Sequence, residues 1–354
     1  MFDKDLISSR KDSILITGAN GFIGTRVLQT LLDYGFGRIR CFVRPSSNLQ
    51  GIKKVLSYYE KGRVEIFEGN LLTKEDCEKA AEGICIVYNL AAGKGEKSYP
   101  SAYMNSVVTT RNLIEACKRG ITLKRIVNVS SFAVYSNRNI RSGGLLDETC
   151  EIETRPKWRG EAYTYAKVKQ DDLVMQYRRR EGLPCVFVRP GAVYGPGDSS
   201  LTWRIGIDTF GIFLHLGGSN FIPLTYVDNC AEAIVLAGLV KGIDGEVFNI
   251  VDDDLPRSRT FLKMYKKSVK NFPSIWLPKA VSYFFCYIWE KYSEWSKGQL
   301  PPAFNRNRWA NDWKGNRYSN EKIKKMLGWK QKVPFSVASK NYFEYCKNEV
   351  NTDA

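Results

Sequence analysis

Short apolar runs of five or six residues recur through the first half of the chain, most of them followed by a stretch whose apolar positions fall at helical spacing. The runs Ser13–Thr17, Ile39–Val43, Val64–Glu68, Ile84–Asn89, Arg125–Ser130 and Cys185–Arg189 read as strands. Between them Thr25–Tyr34, Lys74–Ala81, Ser101–Arg119 and Tyr163–Arg180 read as helices. Strands without polar alternation, joined by helical crossovers, belong to a parallel sheet covered on both faces. The pattern therefore predicts an α/β, doubly wound parallel sheet. After Pro196 the spacing loses its regularity, through the loop from Gly195 to Asn220 and on to Ile222-Pro-Leu-Thr-Tyr-Val-Asp-Asn-Cys-Ala-Glu-Ala-Ile. No internal repeat or low-complexity linker is found.

The turn after the first strand carries candidate chemistry. Gly18-Ala-Asn-Gly21-Phe-Ile-Gly24 stands between that strand and the Thr25–Tyr34 pattern. Glycines let the backbone turn tightly and approach a pyrophosphate, which would sit on the free N–H groups and positive dipole end of the helix. The spacing is Gly-x-x-Gly-x-x-Gly, and a glycine triplet alone is also an ordinary turn. The strand before and the helix after favour a dinucleotide.

Further along, Tyr163 stands four residues before Lys167, and Ser131 lies earlier in Val-Asn-Val-Ser-Ser-Phe. On a helix that spacing puts phenol and ammonium on one face, where the positive charge is expected to lower the tyrosine pKa and make it a usable acid or base. Ser131 would hydrogen-bond the same substrate oxygen. Tyr165 and Lys169 repeat the spacing, so the pair by itself does not single out the reactive phenol.

These two motifs, in this order, resemble the short-chain dehydrogenase/reductase superfamily. Phe22-Ile23 inside the glycine turn and Val188-Arg-Pro-Gly-Ala-Val-Tyr-Gly-Pro-Gly-Asp198 resemble its extended branch, which includes nucleotide-sugar epimerases and dehydratases and 3β-hydroxysteroid dehydrogenase-like enzymes. The resemblance covers residues 13–255 and, more loosely, the remainder. It implies a Rossmann-type sheet with a smaller C-terminal substrate lobe: an NAD(P)-binding domain at 1–195, a mainly substrate-binding lobe at 196–354, and a return near 222–252 to the first domain. It implies the catalytic trio Ser131, Tyr163 and Lys167, with Lys167 also holding the nicotinamide ribose. Cofactor contacts are implied for Gly18, Gly21, Phe22, Ile23, Gly24 and Pro190. They are implied too for Asn70 and Leu71 beside the adenine, with Asn70 replacing the usual aspartate, and for Ala91, Ala92 and Gly93 along the pyrophosphate and ribose. Small residues at a strand-to-loop turn are the plainer reading of the last three. A homodimer through the helix of Tyr163 and the Ser101–Arg119 helix is also implied.

Cofactor choice turns on the end of the second strand, where an acidic residue would hold the ribose 2′-hydroxyl of NAD. Here the residue is Arg44, which with Ser46 and Ser47 suits the 2′-phosphate of NADP better. Either NAD or NADP is expected, with NADP favoured; a solvent-exposed arginine remains the alternative.

Reaction type is narrowed by departures from the family pattern. Where the 4,6-dehydratases carry an Asp-Glu pair after the serine or threonine, this chain has Phe132 and Ala133. Elimination through such a pair is disfavoured, leaving epimerisation through a transient ketone or simple oxidation and reduction. Ala192 stands where nucleotide-sugar enzymes usually have Asn, and Leu224 and Thr225 stand where they often have Arg, so the Pro-Leu-Thr-Tyr-Val-Asp-Asn run resembles the steroid-dehydrogenase side as much. The expected function is NAD(P)-dependent chemistry at a secondary alcohol of a sugar nucleotide or lipid-linked sugar, with epimerisation preferred. The alternatives are a 3β-hydroxysteroid-type dehydrogenase or ketone reductase, and a non-catalytic cofactor-binding scaffold.

Composition changes this picture little except in charge. With 354 residues, 44% of them apolar, the chain can bury a large core. Nine scattered cysteines without a Cys-x-x-Cys pair read as reduced core residues. One histidine, His215, excludes a Ser-His or multi-histidine site and reads as a core or loop residue. Met1–Asp12 is short and polar and no apolar run suffices to span a bilayer, so a cytoplasmic protein is expected, with peripheral membrane contact left open. The net charge of +16 favours anionic small-molecule partners or acidic lipid, and no nucleic-acid-binding motif accompanies it. Tyr283, Phe284, Phe285, Tyr287, Trp289, Tyr292 and Trp295 crowd one expected helix, followed by Arg306, Arg308, Lys314 and Arg317. Such a helix could rest on an anionic membrane, cover a lipid-linked substrate, or simply pack on the small lobe.

Overall fold

The computed structural model describes residues 5–59, 64–93, 95–209, 211–296 and 304–352. Its main sheet contains β1 (Ile14–Thr17), β2 (Ile39–Val43), β3 (Val64–Glu68), β4 (Ile86–Asn89), β5 (Arg125–Val129), β6 (Cys185–Pro190) and β7 (Val247–Ile250). The order is β7-β6-β5-β4-β1-β2-β3 and every pairing is parallel. This is the doubly wound, Rossmann-type α/β sheet that the alternation predicts.

Residue alternation along the strands explains the two covering layers. Ile14, Ile16, Val127 and Val186 face one side, where they pack on Val27, Leu28 and Leu31 of the Phe22–Asp33 helix and on Ile234 and Val235 of the Val227–Leu239 helix. Leu15, Val87, Ile126 and Phe187 face the other, against Leu113, Ile114 and Val174. Burial on both faces is why these strands read as continuous apolar runs. The strand order reverses at β1, whose neighbours are β2 and β4, and a doubly wound sheet binds ligands outside the carboxyl ends at such a point.

Several boundaries differ from the sequence reading. The first helix begins at Phe22, three residues before Thr25, because Gly21 already serves as its N-cap. The expected Ser101–Arg119 helix runs from Tyr99 to Lys118 and widens to a π turn over Met104–Val108. The seventh strand, β7, lies outside the six runs first read as strands. Further still along the chain, Ile323, Leu327 and Trp329 also pack into the main core.

The smaller lobe is organised around a three-stranded sheet of Gly206–Thr209, Ile212–His215 and Ser274–Trp276 and an aromatic core of Tyr194, Phe261, Tyr342 and Phe343. The crowded aromatics form the Lys279–Trp295 helix, which buries Ser282, Cys286 and Ser293 and leaves most of its large side chains outside. His215 is a core residue: Nε2 is 3.0 Å from the Ser258 hydroxyl, and burial, with nearby Arg259, lowers its pKa to about 4. Seven of the nine cysteines are buried. Among the described residues no helix is long and apolar enough to cross a membrane.

Candidate active site

A cleft of about 420 Å³ opens at the carboxyl ends of the central strands. Each strand delivers its following residues there: Gly18 to Gly24 after β1, Arg44 and Ser47 after β2, Asn70 and Leu71 after β3, Leu90 to Gly93 after β4, Ser130 and Ser131 after β5, and Pro190 and Gly191 at the end of β6. Tyr163 and Lys167 enter from the Ala162–Glu181 helix. The cleft thus gathers Ser131, Tyr163 and Lys167 with Gly18, Gly21, Phe22, Ile23, Gly24, Arg44, Asn70, Leu71, Ala91, Ala92, Gly93 and Pro190. Tyr165, whose spacing to Lys169 repeats the motif, is not among its lining. It packs edge-on to Tyr99 with Lys157 over its ring.

The glycine turn is shaped for close approach. Gly18 has φ +69, a left-handed conformation costly for a residue with a Cβ. A Cβ at Gly24 would stand 2.1 Å from the Gly18 carbonyl oxygen, so only glycine lets the helix start so near the strand. No side chain caps this helix, and its first N–H groups are left for a ligand. In the same cleft the buried Thr109 hydroxyl has no hydrogen-bond partner. An uncapped helix N-terminus, a close glycine turn and an unpartnered buried hydroxyl are features that a dinucleotide with its pyrophosphate and ribose hydroxyls fits.

At the reacting end, Ser131 caps a short 3-10 turn at Phe132–Val134, its Oγ accepting the Ala133 N–H at 3.1 Å. The same hydroxyl acts on the Tyr163 phenol, favouring its ionised form. Lys167 is buried, and Nζ donates to Val129 O at 2.7 Å and to Gln170 Oε1 at 2.9 Å. Burial lowers the Lys167 pKa to about 8, opposed by the charge of Asp171. The Tyr163 phenol, however, does not follow the expectation. Burial pushes it above its ordinary value, the Ser131 hydrogen bond pulls it down, and Asp171 and Glu161 push it up. The ammonium is turned to Val129 and Gln170, which is why it leaves the phenol unassisted.

Behind the trio lies a polar layer absent from the sequence reading. Gln170 Nε2 donates to Thr110 Oγ1 at 2.7 Å, which also accepts from Asn89 Nδ2 at 3.0 Å. Asp171 accepts from Asn128 and Ser130 and pairs with Arg189 at 3.1 Å. Their spacing was the missed signal: Gln170 and Asp171 stand three and four residues beyond Lys167 on the same helix. At the rim, Asn105 donates to Glu96 at 2.8 Å beside the π turn, and both line the cleft. Asn70 turns locally, its Oδ1 accepting the Leu72 N–H.

The model of the NAD-dependent epimerase/dehydratase family matches residues 14–250. The chain belongs to this family. It is a member of the extended short-chain dehydrogenase/reductases and by family an NAD-dependent oxidoreductase or epimerase. A 3β-hydroxysteroid dehydrogenase/decarboxylase of Arabidopsis thaliana is 28% identical over 66% of this chain, which spans less than half of that protein, 42%. The sterol-4α-carboxylate 3-dehydrogenase (decarboxylating) of Mus musculus is 23% identical over 94% of this chain and 90% of its own length. Among solved structures, the UDP-glucuronic acid 4-epimerase of Bacillus cereus, held with UDP-glucuronic acid and NAD, has a TM-score of 0.71 at 23% identity, covering 95% of this chain and 99% of that one. A Thermus thermophilus UDP-glucose 4-epimerase with NAD has a TM-score of 0.68 at 19% identity over 95% and 99%. The family members solved with NAD share the fold.

Proposed function

We propose that this family member oxidises or reduces a secondary alcohol or ketone on an apolar, sterol-type ring substrate, using NAD or NADP. The observation that carries the reading is the composition of the cleft around the trio. Its cations among the described lining residues are Lys167, engaged with Val129 and Gln170, and Arg44 at the opposite end, after β2. Pro190, Gly191 and Val193 line the same cleft. Where nucleotide-sugar enzymes would present Asn and Arg to a diphosphate, this chain has Ala192 and fully buried Leu224 and Thr225, the threonine hydroxyl directed to Asp252. The sterol 3-dehydrogenase relatives, matched almost end to end, support the same preference and move it away from the epimerase reading of the sequence.

In this reading the residues work as follows. A bound nicotinamide supplies the hydride acceptor or donor. Tyr163, as its phenolate, would take the hydroxyl proton as the carbinol carbon gives up its hydride, and, as the phenol, would give a proton to the ketone oxygen in reduction. Ser131, with a single O–H, would donate its hydrogen bond to the same oxygen. Lys167, fixed by Val129 O and Gln170, has one donor left for the cleft, where it would hold a ribose hydroxyl. Phe22 to Gly24 present N–H groups to the pyrophosphate. Arg44 and Ser47 support NADP over NAD.

The second reading, 4-epimerisation of a nucleotide-linked or lipid-linked sugar, is supported by the family's description and uses the same trio. The two are separated by incubating the protein with NAD or NADP and either a 3β-hydroxysterol or a UDP-sugar. Formation of ketone with stoichiometric reduced cofactor on the sterol supports the dehydrogenase. Appearance of a 4-epimer without net cofactor reduction overturns it in favour of the epimerase. The homodimer through the Ala162–Glu181 helix and the helix read as Ser101–Arg119, which runs from Tyr99 to Lys118, is also part of the proposal and is tested by sedimentation velocity.

A further inference from the structure

The Lys279–Trp295 helix turns its apolar side the wrong way for a protein core. The residues it buries are small, Ser282, Cys286 and Ser293. Val281, Phe284, Phe285, Ile288, Tyr292 and Trp295 are 39%, 57%, 55%, 45%, 46% and 77% exposed. At 3.6 residues per turn these six fall within an arc of roughly 100°. The Ser274–Trp276 strand leads into the helix and adds Ile275 and Trp276, each 51% exposed. Monomeric proteins rarely leave so many large apolar side chains together in water.

Charge says what covers them. Between Arg257 and Arg317 the sequence holds thirteen Lys or Arg against three Asp or Glu, which accounts for ten of the sixteen net positive charges. Basic side chains border the apolar face directly. Arg259 lies over the Trp276 ring at 5.2 Å, Lys266 donates to Ser274 of the same strand, and Lys291 stands on the helix beside the apolar arc. The helix's two acids are both ion-paired, Glu290 with Arg306 and Glu294 with Lys291. A second copy of the chain would bring this basic region against itself, so self-association through the face is electrostatically opposed.

We propose that this face rests on an anionic phospholipid surface, with the helix in the plane of the interface. Phe284, Phe285 and Ile288 enter the boundary between headgroups and acyl chains, Tyr292, Trp295 and Trp276 sit at headgroup level, and the surrounding Lys and Arg meet the lipid phosphates. Contact is peripheral, since no described helix can cross the bilayer. It stands independently of which substrate the cleft takes.

The test is flotation of the purified full chain with phosphatidylcholine vesicles, with and without phosphatidylserine. Wild type is expected to float with the phosphatidylserine vesicles and to be released by high salt. Replacing Phe284, Phe285 and Ile288 together by Ser should lower the partition coefficient by about tenfold or more, with unchanged cofactor binding as the check on folding. Arg259→Glu with Lys291→Glu should lower it on the anionic vesicles alone. Wild type remaining with the unbound fraction, or equal flotation of the serine variant, overturns the proposal. So does a wild-type dimer that the serine variant converts to monomer, because the face would then be a self-interface.

Discussion

The cleft at the carboxyl ends of the sheet and the outer face of the Lys279–Trp295 helix invert each other's chemistry. In the cleft, polar groups are buried and most have partners: Lys167, Gln170, Thr110, Asn89, Asn128 and Asp171 form a connected layer under the trio. On the helix, large apolar groups are exposed and the buried positions are small and partly polar. Both arrangements are costly taken alone, since buried polar groups lose hydration and exposed aromatics order water. The difference shows what offsets each cost. In the cleft the offset is internal, a network that fixes the Lys167 ammonium. On the helix nothing inside the protein supplies it.

That contrast breaks most sharply at Tyr163. Tyr163→Phe would remove the proposed proton carrier and should lower kcat by about 10²–10⁴-fold with little change in cofactor affinity. The Phe284, Phe285 and Ile288 serine variant should leave kcat on a water-soluble alcohol unchanged. Steady-state kinetics with fluorescence titration of the cofactor checks both. A comparable loss in the helix variant would mean that the two regions are not separate devices.

Gly24 tests the cleft's backbone next. The Cβ of Gly24→Ala would overlap the Gly18 carbonyl oxygen, so the helix start must shift, at about 1–3 kcal/mol of stability and with weakened cofactor binding. Phe285→Ser, on an already exposed site, should move stability by no more than about 0.5 kcal/mol. Chemical denaturation measures both.

A smaller effect is expected at the cleft's far end. Arg44→Asp should reduce the NADPH-to-NADH affinity ratio by about tenfold, the scale of one charge-assisted contact, and direct titration of both cofactors reads it. An unchanged ratio would leave Arg44 as an exposed residue of the rim.

How much of this the sequence showed depends on whether neighbours along the chain are neighbours in space. The glycine turn and the Tyr163–Lys167 pair are local, set by strand, turn and helix spacing, so they were legible. The sheet was legible because its strands are apolar on both faces. Gln170's contact with Thr110 and the second return of the chain at Ile323, Leu327 and Trp329 join segments far apart, and no local period announces them. The pKa of Tyr163 was misjudged for a related reason. Spacing placed the ammonium on the right face, but its direction is set by Val129 O, contributed by β5. For the Lys279–Trp295 helix, aromatic crowding predicted an element without saying which way its apolar arc would point.

The finest separation of the two regions is in their lysines. Burial holds Lys167 at about 8, below its ordinary 10.5, although Asp171 pulls it upward. Between those values the unfolded chain keeps a proton that the folded protein has released. Raising the pH through that window therefore favours the folded state, and the penalty of the buried ammonium is felt in full below it. Lys167→Met removes this titration while the tyrosines, common to both proteins, cancel in the difference. Unfolding midpoints of wild type and variant should accordingly diverge in favour of wild type as pH rises from about 8 toward 10. Lys291 on the outer helix is pulled the opposite way by Glu294, and because that pair is bathed in solvent its substitution should give a much shallower slope of opposite sign. Equal slopes for the two variants would mean that the Lys167 ammonium is as well hydrated as one on the surface, and the polar layer beneath the trio would lose its role of holding a desolvated charge in place.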